Sequence, residues 1–300
     1  MWKQSLDAAG IRDPQLRRDY TAQRRLVARY RRSTYLAARL LLPPPVLPHV
    51  VAATAVMHHG DNLLDTGPKP QRIAAWASWE QQLRKALETG ETDTPLIRTL
   101  LHTLTGHPRL RPALEEYLST ADTDLDFKGF TTESDYQAYL DAYSLPAFRL
   151  IAVLLEPETD ADRYRALCRT FIDGSQRLDF VNDLAEDLRE GHLGIPTETL
   201  DRFSVTMADL TAGVQSASVG ALVTHEVEAA RRDLESAREL PTLVAPQHRA
   251  LLAAVIDIEL LTASAALTRG AALLHGSARP PLTSTLRALR DARRRARSQG

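Results

Sequence analysis

The sequence predicts an all-α protein, and three features carry that expectation. Apolar residues recur at helical spacing through most of the chain, and Pro and Gly punctuate those runs at helix-length intervals. No window of alternating β-branched residues stands between hairpin turns. With no internal repeat, low-complexity linker or composition break, residues 1–300 read as one domain of roughly ten helices.

In chain order, the first helix spans 14–42, Arg-rich at first and then apolar through Tyr35, Leu36, Ala37, Leu40 and Leu41, until Pro43-Pro44-Pro45 stops it. A helix over 49–64 follows, with a small-sided interior (Val50 to Val56), closed by Gly67-Pro68-Lys69-Pro70. Residues 71–90 are amphipathic on Ile73, Trp76, Leu83 and Leu87, and shorter helices occupy 94–105 and 109–121. Asp122–Thr132 is polar and reads as a loop or a broken helix; 133–155 reads as a helix kinked at Pro146. One helix over 160–190 ends at Gly191, a short piece starts at Pro196, and long helices cover 205–238 and 247–275. The tail at 280–300, with Arg287, Arg290, Arg293, Arg294, Arg295 and Arg297, reads as a solvated or frayed last helix, with attachment to an anionic lipid surface as the alternative.

Composition excludes several function classes. A formal net charge of −1 gives no global field to recruit nucleic acid. Cys168 is the only cysteine, which rules out an intrachain disulfide and a thiolate zinc cluster. No apolar run approaches the ~18 residues that span a bilayer. The N-terminal residues Lys3, Asp7, Arg12 and Asp13 do not form a signal-peptide core, so a cytoplasmic location is expected. Walker loop, dinucleotide fingerprint, zinc-protease motif and nucleophile elbow are all missing.

Two acidic stretches hold the chemistry. On a helix, Asp179, Asp183 and Asp187 share one face, and Asp61 and Asp65 form a second i, i+4 pair far upstream. Like charges at that spacing repel, so acids set in apolar windows (Leu178, Phe180, Val181, Leu184, Leu188) call for a cation. Carboxylate oxygens are hard donors that suit Mg²⁺, which shares its coordination shell with substrate phosphates. Acids on two facing helices would then grip a diphosphate and stabilise it as a leaving group, with the carbocation left in an apolar cavity.

At these residues the chain resembles the squalene/phytoene synthase family, over about Tyr30 to Arg269. The likeness is carried by Gln176, Asp179, Asn182, Asp183, Glu186, Asp187, Arg189, Gly191 and Ile195-Pro196, with the Pro48–Asp65 helix and its Asp61-Asn62-Leu63-Leu64-Asp65 run as the first motif. Ser33-Thr34-Tyr35-Leu36-Ala37 looks like the family's opening helix, and Asp124-Leu125, Phe130-Thr131 and Tyr139 through Pro146 look like its central segment. The resemblance implies a class I isoprenoid synthase bundle around a central cavity, with Asp61, Asp65, Asp183 and Asp187 as Mg²⁺ ligands. It places Asn62, Asn182, Arg189, Tyr35, Gln176 and Thr54 at the substrate.

The departures shape the functional expectation. The family's Arg ahead of the first motif is His58 here, its second aspartate is Asn62, and the usual Asn and Arg of the second motif are Asp179 and Asn182. Thr54 and Val56 replace aromatic residues and would widen the cavity. Losing fixed cations disfavours a second anionic substrate. The expected activity is therefore transfer from an allylic diphosphate (dimethylallyl, geranyl or farnesyl) to a small aromatic acceptor in secondary metabolism, with Asp179 or His58 receiving the proton. Head-to-head condensation of two prenyl diphosphates, or cyclisation of one, stands as the alternative. Arg149, Arg177, Arg189 and Lys128 are candidates for diphosphate contact.

Overall fold

The structure is a computed structural model that describes residues 2–30 and 32–298. Its α-helices are α1 (Trp2–Ala8), α2 (Pro14–Tyr30), α3 (Arg32–Leu41), α4 (Leu47–Asp65), α5 (Lys69–Thr89), α6 (Pro95–Gly106), α7 (Leu110–Thr120), α8 (Glu133–Tyr139) and α9 (Leu145–Ala152). The second half holds α10 (Ala161–Asn182), α11 (Leu184–Glu190), α12 (Thr197–Arg202), α13 (Met207–Thr211), α14 (Ala217–Ser236), α15 (Leu240–Leu243), α16 (Pro246–Arg269) and α17 (Leu282–Ser298). Among the described residues there is no strand, as the sequence predicts.

Two large apolar clusters form the core, one built on α4 to α9 and the other on α10 to α16. Leu252 and Val255 of α16 pack against both, so this helix joins the halves. The small side chains of α4 let its neighbours approach closely: Ala52, Ala53, Ala55 and Val56 are almost wholly buried. Polar ties fix the surrounding helices. The buried Tyr20 hydroxyl of α2 donates to the Thr99 carbonyl of α6 at 3.1 Å, and its oxygen lies 2.9 Å from Thr103 Oγ1 and 3.0 Å from His102 Nδ1.

Four helices end or break where the sequence alone misplaces them. The 14–42 stretch is two helices, with Arg31 between them outside the described residues. The 205–238 stretch is likewise divided, with Gly213 at φ +68 in the turn between α13 and α14. The kink at Pro146 is a π turn over Leu140–Ser144, in which the Leu145 N–H donates to the Leu140 carbonyl. Pro146 can give no N–H to the preceding turn, and the wider turn accommodates its ring. The helix expected over 160–190 breaks at Asp183 (φ −96, ψ 12). There Asn182 bonds Ala278 in both directions: its Oδ1 accepts the Ala278 N–H at 2.8 Å and its Nδ2 donates to the Ala278 carbonyl at 3.3 Å. A short polar side chain that captures a neighbouring backbone in this way competes with helix continuation.

Of the solvated or frayed last helix expected for the basic tail, the solvated one is present through Ser298: α17 packs Ala292 and Leu289 into the first cluster and leaves Leu282 and Leu286 exposed. The expectation that no apolar run is long enough for a bilayer is also corrected. Glu133–Leu155 and Pro246–His275 pass by length and composition, and both supply walls of the internal cavity, through Ala147, Phe148 and Ile151 and through Leu251, Leu252 and Val255.

Candidate active site

A cavity of about 820 Å³ opens between α4 and α10. Its interior is apolar, with Val50, Val51, Phe171, Leu155 and Ile256 among its buried walls, and acids gather where it meets solvent. On one side stand Asp61 and Asp65, from the last turn of α4, and Asp124, from the 3₁₀ turn Ala121–Asp126. On the other stand Asp179 of α10 and Asp187 and Glu190 of α11.

Tyrosines organise the first side. Tyr143 donates to Asp61 Oδ1 at 2.6 Å and Tyr139 to Asp124 Oδ1 at 2.7 Å. Burial first, and the carboxylates second, hold the Tyr117, Tyr139 and Tyr143 hydroxyls well above the ordinary phenol range, so they remain protonated donors. Tyr117 reaches this place because residue 60 is glycine: a Cβ there would lie 2.0 Å from the Tyr117 hydroxyl. His58 sits beside Asp61 (Nδ1 to Oδ2 3.8 Å), stacks on Tyr30, and keeps its buried Nε2 without a partner.

The second side is held differently. Asp183, at the break, accepts from Ser277 Oγ at 2.9 Å and does not line the cavity. An aromatic cluster of Phe127, Phe130, Tyr136, Tyr139 and Phe180 supports the wall next to Asp179. Gly194 lies so close to Phe180 that a Cβ would come within 2.1 Å of its ring.

These acids are crowded. Asp65 is exposed on its outer side, yet the protein around its carboxyl, followed by the charges of Asp124 and Asp61, pushes it up to about 7. Burial and then Asp183, Glu190, Glu186 and Asp179 push Asp187 up to about 7 as well. Among the described residues the cavity is lined by seven acids and one guanidinium, that of Arg72. Such an excess of carboxylate is a donor set for hard divalent cations. No three carboxylate, imidazole or thiolate groups among the described residues close on a single point. That openness suits an ion that keeps its waters and completes its coordination on a substrate.

Of the residues expected at the site, Asp61, Asp65, Asp179, Asp187, His58, Tyr35, Thr54 and Gln176 all line the cavity. Thr54 is buried with its hydroxyl donated to the Val50 carbonyl, and Gln176 accepts from Ser144 at 2.9 Å. Asn62 is exposed and accepts from Thr66, Asn182 is engaged with Ala278, and Arg189 is exposed with its Nε donated to the Ala185 carbonyl; none of the three lines the cavity. The cations expected to reach a diphosphate are also committed elsewhere. Arg177 is buried, paired with Glu133 and Glu226 and stacked 4.3 Å over Tyr136, and Arg149 pairs with Glu116. Lys128 does not line the cavity. Residue patterns had given no role to Asp124, Tyr143 or Arg72; the one available signal was the likeness of the central segment, which contains the first two.

An all-helical bundle with acids at the mouth of an apolar cavity defines a helical isoprenoid synthase fold, and solved structures agree. The chain is similar to the squalene synthase HpnC from Alicyclobacillus acidocaldarius, with TM-score 0.75, 24% identity, and 90% of this chain and 99% of that one covered. It is also similar to a dehydrosqualene synthase solved in complex with ligand, with TM-score 0.81, 19% identity, and 94% and 98% covered. The family model for squalene/phytoene synthase matches residues 27–285, and the chain belongs to that family. Among curated relatives, it is 26% identical over 269 residues to the bifunctional protein CrtB/UppS of Streptomyces coelicolor, covering 87% of this chain and 47% of that one. It is 25% identical over 231 residues to the 15-cis-phytoene synthase of Synechococcus elongatus, with 73% and 74% covered. The chain thus spans about half the length of the first relative and three quarters of the second.

Proposed function

We propose that the protein is a divalent-metal-dependent prenyltransferase that joins two prenyl diphosphates head to head, a reading supported by relatives named as a 15-cis-phytoene synthase, a squalene synthase and a dehydrosqualene synthase. The observation that carries this reading is the cavity. At about 820 Å³ it lies near the upper end of the range for small-molecule sites, and its apolar depth suits long hydrocarbon chains better than a small aromatic ring.

In this reading Asp61, Asp65 and Asp124 on one side and Asp187 on the other would hold Mg²⁺, which would supply charge stabilisation to the diphosphate leaving group. Asp183 would join them by exchanging its bond from Ser277. Tyr143 and Tyr139 keep Asp61 and Asp124 aimed by donating to one oxygen of each. The apolar walls exclude water from the allylic cation until the second chain's double bond captures it. His58 and Asp179 line the site as acceptors for the proton then lost.

The aromatic-acceptor reading has less support than the condensation that stood behind it. What still favours it is His58 at the position where the family carries arginine. Incubation with Mg²⁺ and farnesyl or geranylgeranyl diphosphate alone separates the readings. A C30 or C40 product is expected. Diphosphate release only on addition of an aromatic compound would transfer the assignment to the second reading, and a cyclised monomer would overturn both.

A further inference from the structure

Arg72 has no place in the motifs of the sequence, yet among the described residues it is the single guanidinium lining the acid-rich cavity. It belongs to the first turn of α5, close after the Gly67-Pro68 turn that follows α4. Its Nη1 donates to the Leu64 carbonyl at 2.5 Å, next to Asp65. Its positive charge lowers the proton affinity of both Asp65 and Asp124, yet it makes no ion pair with either among the described contacts. Its Nε is buried and has no hydrogen-bond partner.

A buried donor on a charged group left unpaired is costly, and elsewhere in this protein arginines near acids pair with them, as Arg177 does with Glu133 and Arg98 with Asp19. One Arg72 nitrogen is anchored to the end of α4 while the remaining donors of a planar, always-charged fork stay uncommitted beside the mouth. Phosphate oxygens match that fork.

We infer that Arg72 is a diphosphate-binding residue, supplying from α5 a guanidinium that His58 does not provide at position 58. The inference rests on the reading of this cavity as a diphosphate site. It also removes the physical objection to a second anionic substrate, since a guanidinium is present at the mouth after all.

The test is calorimetric titration of the full chain with inorganic diphosphate in the presence of Mg²⁺, which requires no turnover. Arg72→Gln is expected to weaken binding by about tenfold to a hundredfold. Arg72→Lys, which keeps the charge but not the fork, should fall between Arg72→Gln and the unsubstituted protein. Arg84→Gln, twelve residues along the same helix and engaged with Glu80, should bind like the unsubstituted protein. If Arg72→Gln does not fold, as judged by its melting curve, the Arg72→Lys comparison decides. Unchanged affinity in Arg72→Lys and Arg72→Gln, with binding lost in Asp61→Asn, would overturn the role of Arg72 and leave the diphosphate reading standing. A protein that binds no magnesium diphosphate in any form would overturn both.

Discussion

On the α4 side of the cavity, Asp61 and Asp124 each accept a buried tyrosine hydroxyl, and a third tyrosine is brought up against the helix by Gly60. On the α10–α11 side the acids straddle a helix break, Asp183 is engaged by Ser277, and Asn182 is spent on the Ala278 backbone. The first arrangement is preorganised by buried phenols that burial and the neighbouring carboxylates keep protonated; the second depends on where one segment, Gly276 to Ala278, docks against the break. Two clusters of the same residue type therefore differ in what aims them.

Four outcomes would sharpen or break that contrast. On the proposed reading, Asp61→Ala and Asp187→Ala should each reduce turnover by about 10³ or more, since each removes a carboxylate from the diphosphate site, while circular dichroism stays native; normal turnover in either removes that acid from the site. Gly60→Ala should destabilise the protein by about 1–3 kcal/mol, because the Tyr117 hydroxyl cannot retreat from a packed core, and denaturant melts would measure it. Tyr143→Phe should lower turnover by about tenfold, the worth of one hydrogen bond to a charged group. The corresponding Ser277→Ala on the other side should lower it less, and an equal loss would erase the distinction between the sides.

The smallest effect is on stability against pH. Asp65 and Asp187 are raised in the folded protein to about 7 from ordinary values of 3.8. The native form then binds more protons than the unfolded form between those values, so metal-free protein should lose stability as pH rises from about 4 to about 7. Discounted for solvent exposure, the loss is about 1 kcal/mol, or about 2–4 °C in Tm. Added Mg²⁺ should restore it at pH 7.5, and a flat profile in EDTA would show that the acids are not crowded.

Much of this was legible in the chain. Helical periodicity and proline stops gave the bundle, and Asp61 with Asp65 and Asp179 lie on regular faces of α4 and α10 and line the cavity, whereas Asp187 reaches it from the separate helix α11. The break at Asp183 was not legible, since it depends on Ala278, which is distant in sequence. Asp124 and Tyr143 carried no helical-face signal for a related reason: they lie on a 3₁₀ turn and a π turn, which do not follow the α-helical period. The place of Arg72 depends on the packing of α5 against the end of α4, which its local sequence does not encode. The partners of Arg177 lie 44 and 49 residues away on either side, which no local pattern reports.

The π turn at Leu140–Ser144 has one more consequence. It holds one residue more than an α turn would, and that residue sets the phase between two stretches of cavity wall. Before it, Tyr139 faces Asp124; within and after it, Tyr143 faces Asp61, Ser144 faces Gln176, and Ala147, Phe148 and Ile151 line the cavity. Deleting one residue here would rotate everything downstream by about 100°, swinging the donors off their acids and the apolar wall toward its neighbours. The segment should thus tolerate changes of letter far better than changes of length, which makes its residue count, rather than any single side chain, the inherited quantity.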